Sequence, residues 1–253
     1  MSIDRRHFLG LAGLSALAFA ARPSLDGLEG PASDERAPAG TRWAMIVDPK
    51  KCLALDGCTR CIAACHTAHN VPLIGERRHE VKWIWKERFE RAFPSDENAY
   101  TEEALKGKLL PVLCNHCENP PCVRVCPTKA TWKREDGIVM TDWHRCIGCR
   151  YCMGACPYGS RSFNWDDPRG HMGATPASDY PTRTKGVVEK CTFCEERLAK
   201  RQRPLCVEAC PEAALVFGDL NDPKSQVRDL LRTRHSIRRR PELGTQPAVY
   251  YVI

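Results

Sequence analysis

The chain alternates short apolar runs with longer polar stretches, and most of the apolar runs lead into or out of a group of cysteines. Trp43 to Val47 precedes Cys52, Leu109 to Leu113 precedes Cys114, and Val187-Val188 precedes Cys191. Runs this short, bounded by turn formers, predict strands. Thr131 to Lys133 and Ile138 to Thr141 flank Asp136-Gly137, which predicts a hairpin. Leu215 to Phe217 predicts a strand after the last cysteine group, and Val249 to Val252 a terminal strand after a turn over Pro241 to Thr245. Strand, cysteine loop, short helix, strand recurs, so the chain reads as an internal repeat. Helix is expected to be low and broken.

The sixteen cysteines fall into four groups of four. Cys146, Cys149, Cys152 and Cys156 with Pro157 spell C-x2-C-x2-C-x3-C-P, the run that ligates a [4Fe–4S] cluster in bacterial ferredoxins. Cys114, Cys117, Cys122 and Cys126 with Pro127 are wider in the middle gap, and Cys191, Cys194, Cys206 and Cys210 with Pro211 are wider still. In Cys52, Cys58, Cys61 and Cys65 the first gap is stretched and His66 replaces the proline. Three close cysteines wrap a loop around one side of a cubane, while the fourth is expected on a short helix after the loop, pointing to a neighbouring cluster. The proline stops the helix there, because it has no N–H to continue the ladder. Sixteen thiols in this pattern imply four [4Fe–4S] clusters.

Other uses of cysteine fit less well. Structural zinc draws two C-x2-C pairs from separated stretches, and three cysteines within seven residues crowd one ion. Disulfide scaffolds are small, and this chain has 253 residues. Covalent haem needs C-x-x-C-H, but Cys117 precedes Glu118 and Cys61 precedes Ile62.

Asp4-Arg5-Arg6-His7-Phe8-Leu9-Gly10, the apolar Leu11 to Ala20 and the terminal Ala18-Phe19-Ala20 read as a twin-arginine signal peptide over residues 1–20. That route carries folded, cofactor-loaded proteins, which suits clusters assembled in a reducing compartment. Residues 21–41, rich in Pro, Gly, Ala and acids, read as a linker. The formal charge of +7 implies no nucleic-acid partner. Each cubane with its four thiolates carries −2, so the mature holoprotein is near neutral, at about −2. The arginine run from Arg228 to Arg240 reads as a solvated face or a docking patch for an acidic partner. Trp83, Trp85, Phe89 and Phe93 read as packing over cluster edges, and His66, His69, His116 and His144 as neighbours that tune sulfur.

The chain resembles the four-cluster ferredoxin-like subunits of membrane-bound, quinone-linked respiratory complexes. The resemblance rests on Cys114-Asn115-His116-Cys117 with Pro120-Pro121-Cys122 and Cys126-Pro127-Thr128, on His144-Arg145-Cys146-Ile147-Gly148-Cys149-Arg150-Tyr151-Cys152 with Cys156-Pro157-Tyr158-Gly159, and on Glu242-Leu243-Gly244-Thr245 with Tyr250-Tyr251. Within that family it is most similar to the periplasmic iron–sulfur subunits of Dsr membrane complexes. The features in common are Asp56-Gly57-Cys58-Thr59 with Cys65-His66, Arg161-Ser162-Phe163-Asn164-Trp165, and a signal of its own.

The resemblance implies an α+β fold of two interlocked bacterial-ferredoxin-like domains with long insertions and little regular secondary structure. One unit would span residues 42–72 with 180–220 and the other 110–179, with an insertion over 73–109 and a tail over 221–253. It implies shared ligands: Cys52, Cys58, Cys61 and Cys210 on one cluster; Cys191, Cys194, Cys206 and Cys65 on its neighbour; Cys114, Cys117, Cys122 and Cys156 on a third; Cys146, Cys149, Cys152 and Cys126 on a fourth. The implied role is electron relay without catalysis. The implied partners are an integral membrane quinone-interacting subunit, a multihaem cytochrome c and the twin-arginine export machinery, at the outer face of the cytoplasmic membrane. An exported molybdopterin or nitrite-type oxidoreductase is the alternative setting. Anaerobically purified protein is expected to be brown and reducible with about sixteen irons per chain; colourless protein containing zinc would exclude electron transfer.

Overall fold

Four strand pairs tie the end of one cysteine group to the start of another. The computed structural model describes residues 40–96, 103–173 and 176–253; the expected signal segment and all but the last residues of the linker lie outside them. In chain order the elements are β1 (Trp43–Val47), α1 (Pro49–Leu53), α2 (Arg60–Ala68), β2 (Ile84–Arg88), α3 (Phe89–Ala92), β3 (Leu109–Leu113), α4 (Pro121–Arg124), β4 (Thr131–Lys133) and β5 (Val139–Thr141). There follow α5 (Tyr151–Ala155), β6 (Ser162–Phe163), β7 (Val188–Glu189), α6 (Glu195–Leu198), α7 (Leu205–Glu208), β8 (Leu215–Asp219), α8 (Gln226–Thr233), β9 (Ser236–Ile237) and β10 (Val249–Val252). The class is α+β, with two ferredoxin-like [4Fe–4S] domains and little regular structure. The strands expected at Trp43, Leu109, Thr131, Ile138, Val187, Leu215 and Val249 are all present within a residue or two.

The main sheet has the order β8-β1-β10-β9. β1 is antiparallel to β8, with Val47 opposite Leu215, and parallel to β10, with Met45 opposite Val249. Its continuous apolar run is explained by burial on both faces. Met45 and Val47 face the large core that surrounds the cysteines. Ala44 and Ile46, on the alternate face, join Val227, Ala248 and Val252 under α8. The other pairs are β2–β3, β4–β5 and β6–β7, all antiparallel. Gly137 makes the β4–β5 turn possible: its φ is +83°, and a Cβ there would lie 1.5 Å from Arg42 Nη1.

Residues 73–109, expected as an insertion, contribute β2 and α3 and run into β3, whose partner is β2. Trp83, Phe89 and Phe93 are buried in the large core. Phe93 meets Tyr251 of β10 edge-on at 4.7 Å. Glu189 on β7, fully buried, holds this region in place. It accepts from Trp83 Nε1 at 2.8 Å, Asn164 Nδ2 at 2.6 Å and Arg183 Nε at 2.8 Å. Arg183 in turn donates to the carbonyls of His69 and Asn70, at 2.5 and 2.8 Å, so one buried ion pair fastens the end of α2 to β7.

The tail from residue 221 onward supplies β9 and β10 to the main sheet. The arginine run within it is not a uniform solvated face. Arg239 is 4% exposed and donates to the Ala92 carbonyl. Arg234 pairs with Asp48 at 2.6 Å. Arg228 and Arg232 do lie on the outer side of α8 while Val227, Leu230 and Leu231 pack inward. Ile46→Ala removes a fully buried side chain from the face that is remote from the cysteines. It should cost about 2–5 kcal/mol, seen as a lower onset temperature for loss of visible absorbance, with iron per chain unchanged as isolated.

Candidate metal centres

The same backbone device recurs in all four cysteine groups. The residue just before each second cysteine adopts positive φ: Gly57 (66°), His116 (40°), Gly148 (70°) and Phe193 (59°). A left-handed residue in a tight loop turns successive N–H groups to one side, making a concavity suited to an anionic group. At Gly148 glycine is obligatory, since a Cβ would lie 2.3 Å from the Gly186 carbonyl oxygen. After the fourth cysteine, three groups share a second turn. The N–H groups of Lys129, Gly159 and Ala213 donate to the carbonyls of Cys126, Cys156 and Cys210 at 3.3, 3.4 and 3.3 Å, and all three residues have positive φ. The first group lacks the proline that enforces this stop, and α2 runs on through His66 to Ala68.

Third cysteines lie on the helices: Cys61 on α2, Cys122 on α4, Cys152 on α5 and Cys206 on α7. Only Cys65 among the fourth cysteines is also helical; Cys126, Cys156 and Cys210 follow their helices, which corrects the expectation of a helical fourth position. Helix α2 packs on α7, and α4 on α5. These contacts bring the first group to the fourth and the second to the third.

Four thiol quartets result. At site 1, Cys52, Cys58, Cys61 and Cys210 line one pocket with Leu55, Pro211 and Leu215. The pairing of Val47 with Leu215 and the bond from Asp48 N to the Ala214 carbonyl draw Cys210 to the first group. At site 4, Cys126, Cys146, Cys149 and Cys152 line another, brought together by the β4–β5 hairpin. At site 2, burial pushes the Cys65 thiol far up, and the charges of Cys191, Cys206 and Cys194 add to it. At site 3, burial raises Cys117 to about 12, with Cys114, Cys122 and Cys156 contributing. Cys61 at site 1 is raised to about 11 by burial, then by Cys52, Cys210 and Cys58. Thiols crowded this way resist ionising alone and are satisfied by a strongly cationic centre, whose charge reverses the preference. Cys126 is the exception: burial would raise it, but hydrogen bonds involving Thr131, Thr128 and Ala130 bring it below the usual thiol value. All sixteen thiols are free.

The quartets adjoin one another in the order 1, 2, 3, 4. Cys61 of site 1 acts on Cys65 and Cys206 of site 2. Cys114 of site 3 acts on Cys191 of site 2, and Cys122 of site 3 on Cys152 of site 4. All four thiols of site 2 and three of site 3 are buried, whereas three of four at each end site are partly exposed. Sequence reasoning missed the buried cations between them. Arg161 donates to Cys122 Sγ at 3.2 Å, and Lys190 donates from Nζ to the carbonyls of Val139 and Cys191. Burial works against the charge of Arg161, but Cys122, Cys152 and Cys114 outweigh it and raise its pKa. Burial pulls Lys190 below the usual lysine value, against Cys114, Cys191 and Cys122.

Of the histidines, His69 reaches a sulfur: Nδ1 lies 3.7 Å from Cys65 Sγ and 2.7 Å from its carbonyl. His69, Cys194 and Glu196 place one ligand atom each within 4.8 Å of one another, but His69 Nε2 is engaged by Glu196 at 3.0 Å and Cys194 belongs to site 2. His116 is fully buried and stacked on Phe193, and burial followed by Lys190, Arg42 and Arg161 holds it neutral. His144 is exposed.

Residues 105–173 and 145–214 each match the 4Fe-4S dicluster domain family. The chain is 42% identical to the Hdr-like menaquinol oxidoreductase iron-sulfur subunit 1 of Archaeoglobus fulgidus, over 98% of this chain and 97% of that protein. The chain belongs to the ferredoxin-like iron–sulfur subunits of oxidoreductase complexes. It is also 37% identical to the menaquinone reductase iron-sulfur cluster-binding subunit of Nitratidesulfovibrio vulgaris, over 83% of this chain and 88% of that one. A tetrathionate reductase subunit of Salmonella typhimurium is 34% identical over the whole chain and 89% of its own length. As a member of this family the chain is an electron-transfer subunit with four [4Fe–4S] clusters. Ligand sharing makes a specific demand. Cys210→Ser should alter the same EPR signal as Cys52→Ser, and Cys65→Ser the same signal as Cys191→Ser; signals that instead follow the sequence groups would exclude it.

Proposed function

We propose that the chain is a linear electron wire, with Cys52, Cys58, Cys61 and Cys210 holding the cluster at one end and Cys126, Cys146, Cys149 and Cys152 the cluster at the other. Cys65, Cys191, Cys194 and Cys206, then Cys114, Cys117, Cys122 and Cys156, hold the two between. The observation that carries this reading is the burial pattern: interior quartets closed off and terminal quartets partly open. Bound [4Fe–4S] clusters supply one-electron chemistry without proton transfer or bond cleavage. The chain's own contribution is to fix their order, exclude water from the middle pair and leave both ends accessible to partners.

At one end the partner is a quinone-interacting integral membrane subunit, in keeping with two relatives named for menaquinol and menaquinone. At the other it is a multihaem cytochrome c, in a Dsr-type complex of dissimilatory sulfur metabolism. The Arg5-Arg6 signal supports export by the twin-arginine machinery to the outer face of the cytoplasmic membrane. A second reading, a molybdopterin or nitrite-type oxidoreductase as partner, draws on the tetrathionate reductase relative and on a selenate reductase subunit of Mesobacillus selenatarsenatis, 36% identical. Affinity purification of the tagged chain from gently solubilised membranes tests both. Recovery of a covalent-haem cytochrome and a polytopic subunit, with clusters reduced by added menaquinol, is the expected result. A molybdopterin subunit in their place supports the second reading, and Arg5→Lys with Arg6→Lys should leave the chain in the cytoplasm.

A further inference from the structure

Two buried cations stand beside site 3 with no carboxylate accepting from either among the described residues. Arg161, 5% exposed, donates from Nη2 to Cys122 Sγ and from Nη1 to Oγ1 of Thr131 and Thr141, at 3.2 and 3.3 Å. Among the described residues Lys190, 1% exposed, has only the carbonyls of Val139 and Cys191 as hydrogen-bond acceptors. Most other buried or half-buried cations among the described residues have an acid: Arg183 has Glu189, Arg134 has Asp136 and Glu195, Arg234 has Asp48. A bare cation in a poorly hydrated interior is costly unless an anion stands near. The anions near these two are cysteine sulfurs: Cys122, Cys152 and Cys114 for Arg161, and Cys114, Cys191 and Cys122 for Lys190.

We infer that Arg161 and Lys190 are positioning residues that raise the reduction potentials of the clusters they flank, and raise site 3 most because both face it. Reduction adds one electron to a thiolate-bound cluster and takes its net charge from −2 to −3; no bond forms or breaks and no proton moves. A fixed positive charge in a low-dielectric interior favours the more negative state. Arg161 lies between sites 3 and 4, and Lys190 between sites 2 and 3. A third guanidinium, Arg239, is buried over the Tyr158 ring and acts on Cys156 of site 3. Site 2 has a counterweight, since Glu196 opposes ionisation of Cys191 and Cys194. Site 1 has Asp48 against Lys86. Positive charge is therefore concentrated at site 3.

The inference rests on the ligand assignment proposed above, and the experiment separates the two. The full chain is purified anaerobically as wild type, Arg161→Gln, Lys190→Gln and Arg161→Lys. Iron is counted, and EPR spectra are recorded across a redox titration, with signals assigned through the Cys52/Cys210 and Cys65/Cys191 serine variants and, for sites 3 and 4, through Cys114→Ser with Cys156→Ser and Cys146→Ser with Cys126→Ser. Arg161→Gln should lower the potentials of sites 3 and 4, Lys190→Gln those of sites 2 and 3, and neither that of site 1. At a fixed poise the reduced-to-oxidised ratio of site 3 should fall at least tenfold in each, which is about 59 mV for a one-electron couple. Arg161→Lys keeps the charge and should hold that ratio within about threefold of wild type. Full iron with unmoved potentials, or an equal shift at all four sites, would overturn the inference. The wild type gives a check that does not depend on the Arg161 and Lys190 variants folding: the site 3 signal should appear first on stepwise reduction, and any other signal appearing first would also overturn it. Cysteine variants that pair otherwise would instead overturn the ligand assignment.

Discussion

Thiolates repel one another, and an interior with little water makes that repulsion strong. This chain brings sixteen of them into four close quartets, eight of the thiols in the two interior ones. Much of the architecture can be understood as the means of holding that arrangement. Short helices aim the third cysteines, left-handed residues bend the loops, and strand pairs carry each group to its neighbour. The conventional apolar core is modest and includes several of the cysteines themselves. Iron binding is therefore part of folding, because the centre that relieves the repulsion also fastens segments that are far apart in sequence.

Much of this was legible in the residues. The proline after Cys126, Cys156 and Cys210 marks where each helix stops, and the histidine after Cys65 marks where one does not. Asp136-Gly137 marks its hairpin, and the apolar run at Trp43 its strand. The repeat is plainer in the backbone than in the sequence, because the position before each second cysteine is left-handed whether it holds glycine, histidine or phenylalanine. Sequence reasoning had no means of seeing that regularity through His116 and Phe193, which rarely adopt such angles.

Other features are hidden by composition. The helix Gln226–Thr233 carries Val227, Leu230 and Leu231 on one face, the i, i+3, i+4 pattern of an amphipathic helix. The surrounding arginines make charge the conspicuous feature of that stretch and obscure the stripe. The burial of Arg239 depends on tertiary neighbours around Ala92 and Tyr158, which local sequence does not reveal. Arg161 stands in a stretch marked by family likeness, but its contact with Cys122, 39 positions away, exists only in the folded chain.

The place of the last strand, between the first and the ninth, bears on the order in which the molecule can be assembled. In the proposed ligand assignment site 4 draws its four cysteines from one stretch, residues 126 to 152, and site 3 from 114 to 156. Site 1 needs residues 52 and 210, and the sheet that frames it is complete only when Val249–Val252 has docked beside Trp43–Val47. Loops that span more chain close later and at greater entropic cost. During synthesis the second and third groups can therefore gather iron while the rest is still emerging. The first group must wait, open and half-formed, until Val249–Val252 has been made and can dock.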